Sequence, residues 1–216
     1  MRARFLQIIA GLGILFAATS AQADKRWTGF YIGAHGSYNN LNASGLFDGG
    51  GADADLGILN PNGGGVGAQI GYNYQMGKFV FGIEGDIADL DVRDFLIDRD
   101  RDKQQLELNS LASIRGRVGY AFNSMLVYGT AGIGFVTGKL VVEDGADALK
   151  FNEQAFVYGG GAEYMFAPNL TFRLEYLRYD INKKFDLDSL LDGNPGDNLK
   201  LKAIDSVRVG INWKLN

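Results

Sequence analysis

The chain has 216 residues, no cysteine, and 21 Lys+Arg against 25 Asp+Glu, a formal charge of −4. That balance excludes a nucleic-acid binder, which needs a clustered basic face. The missing cysteine excludes a disulfide framework and thiol chemistry. Glycine, at 31 residues with only three prolines and no collagen-type period, is about twice the usual share of roughly 7%. Glycine scattered that densely among aromatic segments suits strands that bend and pack closely around a narrow barrel.

The first segment reads as a secretory signal. Met1-Arg2-Ala3-Arg4 is positive, Phe5 to Ala18 is apolar apart from Gln7 and glycines, and Ala21-Gln22-Ala23 is a small-x-small cleavage site before Asp24. A membrane anchor is the rival, but a spanning helix wants about 20 apolar residues and this run is shorter. The predicted organisation is therefore a cleaved signal over 1–23 and a single barrel domain over 24–216. Cleavage removes Arg2 and Arg4 and takes the charge from −4 to −6.

After residue 23 no apolar run is long enough for a membrane helix, and alternation with period two takes over. Residues 30, 32, 34, 36 and 38 are Phe, Ile, Ala, Gly and Tyr, opposed by Gly33, His35 and Ser37. Val66, Ala68, Ile70, Tyr72 and Tyr74 oppose Gly67, Gln69, Gly71 and Asn73. Phe79, Phe81, Ile83 and Ile87 oppose Gly82, Glu84 and Asp86, and after them Leu106 to Tyr120 opposes Glu107, Asn109, Ser113, Arg115 and Arg117. Met125 to about Val136 is apolar on both faces and cannot be oriented. Phe156 to Tyr164 opposes Gly159, Gly161 and Glu163; Leu170 to Tyr176 opposes Thr171, Arg173 and Glu175; Val207 to Leu215 opposes Arg208, Gly210 and Asn212. These make eight predicted strands. Tight turns fall at 75–78, 122–124 and 167–169, and long polar loops near 39–64, 89–103, 139–152 and 181–198. Short turns on one side, long loops on the other and an even strand count form the pattern of an outer-membrane barrel. Aromatics gather by the short turns, at Tyr74, Phe79, Tyr120, Phe122, Tyr164 and Phe166, with Trp27 and Trp213 at the two ends. That places an aromatic girdle at the periplasmic interface.

The competing fold is a soluble lipocalin-like barrel or a β-sandwich, in which the apolar face points inward. The minority face decides between them. It carries Glu84, Asp86, Glu163 and Glu175 against Arg115, Arg117, Arg173 and Arg208. Four carboxylates and four guanidiniums suit a closed interior in which charges pair, since an unpaired buried charge is costly. The expected architecture is an all-β, eight-stranded antiparallel transmembrane barrel with lipid outside. Its interior is filled by side chains and leaves no aqueous channel.

Trp27-Thr28-Gly29-Phe30-Tyr31-Ile32-Gly33, the glycine-rich run Gly64 to Tyr74, Val80 to Asp86, Leu174-Glu175-Tyr176 and the ending Val207 to Trp213 resemble the small "porin family" outer-membrane proteins of alphaproteobacteria. That family includes immunogenic surface proteins and hemin-binding proteins. The resemblance spans the whole mature chain. Leu215, followed by Asn216, stands where such proteins carry the terminal aromatic read by the barrel-assembly machinery. With the lumen filled and no diffusion pore expected despite the family's label, the leading expectation is a structural and surface-interaction protein of the cell outer membrane. Its expected partners are outer-membrane lipid and lipopolysaccharide, the assembly machinery during biogenesis, and host or surface ligands at the loops. The resemblance also implies hemin binding as an alternative. Haem iron is usually held by His, Cys, Met or Tyr, and the only histidine is His35.

Two further motifs carry weaker chemistry. His35 and Ser37 share a strand face, as in outer-membrane lipid A deacylases, but such chemistry also needs an orienting carboxylate and an oxyanion hole. Asp98-Arg99-Asp100-Arg101-Asp102 begins like a calcium loop, but Lys103 and Asn109 occupy its glycine and closing glutamate positions. No cofactor, metal or catalytic residue is therefore expected.

Overall fold

The computed structural model describes residues 26–48, 53–59, 62–97, 103–141, 149–186 and 198–215. The proposed signal segment, the Asp98–Asp102 motif and the tips of the four long connections lie outside them. Among the described residues nine strands form one antiparallel sheet: β1 (Gly29–Asp48), β2 (Asp53–Leu59), β3 (Asn62–Met76), β4 (Phe79–Ile97), β5 (Lys103–Phe122), β6 (Met125–Val141), β7 (Leu149–Ala167), β8 (Leu170–Asp186) and β9 (Asn198–Lys214). β1 pairs with β9 from Tyr31↔Lys214 to Leu46↔Asn198, which closes the sheet on itself. β3 pairs with the lower part of β1 and β2 with its upper part. The two therefore share one position in the wall, and the barrel has eight positions. Closure leaves every spanning strand paired on both sides, as a chain in lipid requires.

The short turns form where the residues favour them. Met76↔Phe79, Phe122↔Met125 and Ala167↔Leu170 are the last pairs of three two-residue hairpins. Gly77 (φ 62) and Asn123 (φ 53) open two of them. These are residue types that adopt positive φ at low cost. At the other end the strands run further than the alternation predicts. β4 and β5 stay paired to Ile97↔Lys103, and β6 and β7 to Leu140↔Leu149. The long external connections are thus largely paired extensions of the wall. Register shifts ring this end, at Asn42/Ala43, Asp89/Val92, Leu108/Ser110 and Asp180/Lys183, as bulges commonly do at barrel rims. The bulge on β5 corrects one expectation: Asn109, grouped by alternation with the inward Ser113, is exposed.

The apolar face points out. Val66, Ile87, Ile114 and Phe156 are each more than half exposed, a surface too apolar for water. From Phe30 to Tyr38 the outward face climbs eight residues. At about 3.3 Å per residue and a tilt of roughly 40°, that covers on the order of 20 Å of membrane depth. The girdle lies at the turn end, where Tyr74, Phe79, Phe122, Tyr164, Phe166 and Trp213 are exposed. Trp27 does not join it. Its side chain is only 3% exposed and packs with Val80, Ala121, Leu126 and Tyr128 inside the turn-side mouth. Its backbone N–H donates to Gln75 Oε1 at 3.0 Å. A segment entering just before a strand can fold under the barrel as easily as along its rim, and the apolar mouth draws the indole in.

The strand that alternation left unoriented is resolved by its neighbours. On β6 the even residues Leu126, Tyr128, Thr130 and Val136 are buried, while Met125, Val127 and Ile133 face out.

Candidate functional site

The lumen is built by pairing large side chains with glycines across the ladder. Arg115 lies opposite Gly132, Arg117 opposite Gly82, Arg173 opposite Gly210, Glu175 opposite Gly161, and Tyr31 opposite Gly71. A methyl group on Gly132 would collide with the Ile114 carbonyl oxygen. Gly71 and Gly82 vacate the wall space that the Tyr31 ring and the Arg117 side chain occupy, whereas at Gly132 it is the backbone of the neighbouring strand that comes close.

The eight charged residues singled out from the sequence sit at the waist of the barrel. None is more than 7% exposed. Glu84, directly opposite Arg115 on the next strand, is the hub. Its carboxylate accepts from Arg115 Nη2 (2.6 Å), Arg173 Nη1 and Nη2 (2.5 and 2.8 Å), Arg117 Nη1 (3.4 Å) and the Tyr31 hydroxyl (2.6 Å). Arg173 thus grips it bidentately, the strong geometry for guanidinium and carboxylate. Arg115 also donates to Glu175 at 3.1 Å and to Asp86 at 3.2 Å. Arg173 bridges on to Glu175 at 2.6 Å and Arg117 to Glu163 at 2.7 Å. Arg208 holds Asp86 at 2.7 Å, and the Ser113 hydroxyl donates to that same carboxylate.

Three tyrosines complete the network, and alternation alone did not single them out. Besides Tyr31, Tyr128 donates to Glu175 at 2.9 Å and lies under the Arg117 guanidinium, 3.9 Å from ring centroid to carbon. Tyr179 accepts from Arg208 Nη2 at 2.6 Å. Tyr179 could have been found by parity, since it follows Arg173 and Glu175 at even steps along β8. Tyr128 could not, because its strand is apolar on both faces.

Apolar side chains lie on either side of this charged waist. Toward the turns are Trp27, Val80, Ala121, Leu126 and Tyr128. Toward the external end, Leu41, Leu90, Leu111, Val157, Leu177 and Ile204 are all buried.

The weaker motifs are placed as follows. His35 is buried, and its Nδ1 is 2.7 Å from Gln69 Oε1. Its ring sits against Gly67, where a methyl group would come within 2.5 Å of Nε2. The Ser37 hydroxyl accepts from Asn39 Nδ2 at 3.0 Å. His35 thus has an amide rather than a carboxylate as its orienting partner. Its site, pressed against the wall, does not fit a haem macrocycle. Among the described residues no group of three or more His, Cys, Asp or Glu side chains is arranged to hold a metal ion.

Residues 9–214 match the outer membrane protein beta-barrel domain family. The chain belongs to this family. Among its relatives are the 22 kDa outer membrane protein of Rhizobium leguminosarum bv. viciae, 36% identical over 76% of this chain and 69% of the relative. Another is the 31 kDa outer-membrane immunogenic protein of Brucella melitensis, 30% identical over 92% and 88%. Among solved structures, Neisserial surface protein A superposes with a TM-score of 0.54 at 15% identity, covering 87% of this chain and 98% of its own. OprG from Pseudomonas aeruginosa gives 0.52 at 14% identity, covering 89% and 100%. At those identities the likeness concerns the fold alone. This member of the family is an integral protein of the cell outer membrane, and its aromatic girdle and lipid-facing band have the meaning they carry in such barrels.

Proposed function

We propose that this outer-membrane barrel is a structural and surface-interaction protein whose lumen is shut to diffusion. The observation that supports the reading is the neutral charged waist: four arginines and four carboxylates, all buried, cross-linking opposite walls between two apolar tiers. Water or solute crossing the lumen would have to break several charge-assisted bonds at once, each stronger than an ordinary hydrogen bond. With the interior consumed by packing, the external ends of the strands are the surface left for partners, lipopolysaccharide and surface ligands among them. The proposal includes no catalytic step. It also includes no hemin site in the lumen, since His35, the only histidine, does not fit one.

The test is planar-bilayer conductance of the refolded barrel, with and without added hemin. The expected result is no sustained open channel in either condition. A steady ohmic conductance that persists across preparations refutes the closed lumen, and a hemin-dependent change restores the hemin reading.

A further inference from the structure

Resting on the surface-interaction role proposed above, we infer that the cleft between β7 and β8 at the external end takes up an extended, acidic segment of a partner polypeptide as an added β-strand. The ladder that closes the barrel in the membrane does not stay closed above it. Between β7 and β8 it stops at Phe156↔Asp180, while β7 stays paired with β6 to Leu140↔Leu149 and β8 with β9 to Asp186↔Asn198. Between β3 and β4 it stops at Gly63↔Val92. Beyond that point β2 pairs with β1 alone, and residues 93–97 of β4 pair with β5 alone. Among the described residues the external end is therefore two flaps of four strands, β8–β9–β1–β2 and β4–β5–β6–β7, divided by two clefts. The parting at β8 has a local cause. Its register against β9 shifts between Asp180 and Lys183, and Asn182 within that bulge has φ 45. A bulge bends its strand and adds twist, which carries residues 183–186 off the line of β7.

Each cleft leaves strand edges with no ladder across it. An edge offers alternating N–H and C=O groups that another strand can pair, and strand addition is a recurrent way of recognising an extended peptide. Charge directs which peptide. The four strand ends around the β7/β8 cleft, residues 137–140, 149–152, 183–186 and 198–201, hold Lys139, Lys150, Lys183, Lys184 and Lys200 against Asp186. The ladder sets Lys139 opposite Lys150 and Lys184 opposite Lys200. Like charges at facing positions destabilise a ladder, and an anionic neighbour relieves that repulsion. The same lysines disfavour pairing with the identical edge of a second copy, as charged edges do in proteins that avoid self-association. The other cleft has the opposite character. Asp53 and Asp55 on β2 and Asp94 on β4 outnumber Arg93, and Asp48 stands opposite Asp53. An acidic strand is thus admitted by one cleft and refused by the other.

The test uses the full barrel in mild detergent with synthetic peptides of about eight residues. One alternates Glu with Val and Thr, one carries Lys in place of each Glu, and one keeps the acidic charge but is interrupted by proline, which removes a ladder donor. Fluorescence anisotropy of the labelled peptide reads binding, and the infrared band of isotope-labelled peptide carbonyls reads strand formation. The acidic strand-forming peptide should bind at least about tenfold tighter than either of the others, and its carbonyl band should move to the β-sheet position. Lys183→Glu/Lys184→Glu balances the charge of the cleft and should abolish the preference for the acidic over the Lys peptide while heat-shifted gel migration stays normal. The peptide comparison on the wild type decides the matter even if that variant does not fold. Equal binding of the proline-interrupted peptide would leave only a charged patch, and equal binding of the Lys peptide would remove charge selection. Either result, an undiminished preference in the folded variant, or no binding of the acidic peptide would overturn the inference. None of them bears on the closed lumen, which the conductance measurement tests separately.

Discussion

Removing the negative charge of Glu84 while keeping its shape is the sharpest perturbation of the lumen. Glu84→Gln takes the waist from neutral to a net charge of +1. It withdraws the carboxylate from Arg115, Arg117 and Arg173 together. Each arginine keeps another acid: Glu175 for Arg115 and Arg173, Glu163 for Arg117. The loss is therefore one uncompensated buried charge, which typically costs about 3–5 kcal/mol. Arg115→Met should fall at the low end of that range, because Glu84 remains held bidentately by Arg173 and Asp86 remains held by Arg208. The double variant Glu84→Gln/Arg115→Met is neutral again. It should recover on the order of 1–3 kcal/mol of the summed single losses, the usual size of coupling between residues in contact. For a chain of this length about 1 kcal/mol moves a thermal midpoint by roughly 2–4 °C, so each single variant should lose the heat-resistant gel band roughly 6–20 °C lower. Urea unfolding in lipid vesicles measures the same cycle as free energies. Because the pairs are buried, the coupling should persist at high salt, where exposed pairs fade. Single losses that add to within about 0.5 kcal/mol would mean that the charges are independent, and the closed waist would be refuted.

The wall glycines separate by face: Gly132→Ala, whose methyl meets the Ile114 carbonyl, should cost at least about 2 kcal/mol by overpacking, whereas Gly36→Ala should leave urea unfolding unchanged. Trp27→Ala should destabilise the barrel by about 3–5 kcal/mol, as large-to-small changes of buried aromatics do. In lipids with brominated chains the Trp213→Phe protein, retaining only Trp27, should fluoresce unquenched, while Trp27→Phe should be strongly quenched. N-terminal sequencing of the exported protein should begin at Asp24, and the unboiled protein should migrate faster than the boiled one; retention of residues 1–23 without a heat shift would remove the export reading.

Period-two alternation was enough to orient seven of the eight wall positions, because lipid outside and a charged interior put opposite chemistry on the two faces. Where the faces did not differ, it failed. β6 is apolar on both sides, and only its ladder with Arg115 and Arg117 on β5 turns Tyr128 inward. Alternation also loses parity at a bulge, which is how Asn109 came to be grouped with Ser113. It cannot read a segment that lies outside the strands, so Trp27, grouped with Trp213 as the aromatic at the opposite end of the barrel sequence, belongs instead to the packed mouth. The identities of the eight lumen charges were legible because charge is so rare on a strand in lipid. Their connectivity was not, since the partner of each depends on register and shear. That Glu84 and Asp86 on one strand lie beside Arg115 and Arg117 on the next could be read from the sequence; the exact match of Glu84 to Arg115 needs the register, which sets Asp86 opposite Ser113. The glycine count, by contrast, was legible in amount and not in purpose, because a glycine at 132 and a glycine at 36 look alike until the neighbouring strand is in place.

That difference between glycines bears on where function can reside in so small a barrel. Inward positions are constrained twice over, by the long side chain each glycine admits and by the charge each arginine must meet, so a change there propagates across several strands. Outward positions in the lipid band need only be apolar, and Gly36 and Gly64 satisfy even that requirement less well than a valine or leucine would. Bare backbone on a lipid-facing wall forgoes side-chain packing without relieving any collision inside. Gly85, Gly116 and Gly129 are as open on the outward side, each with nothing nearer than 3.8 Å, so bare outward backbone recurs around this wall, and substitution there tests the lipid face without disturbing the charged waist.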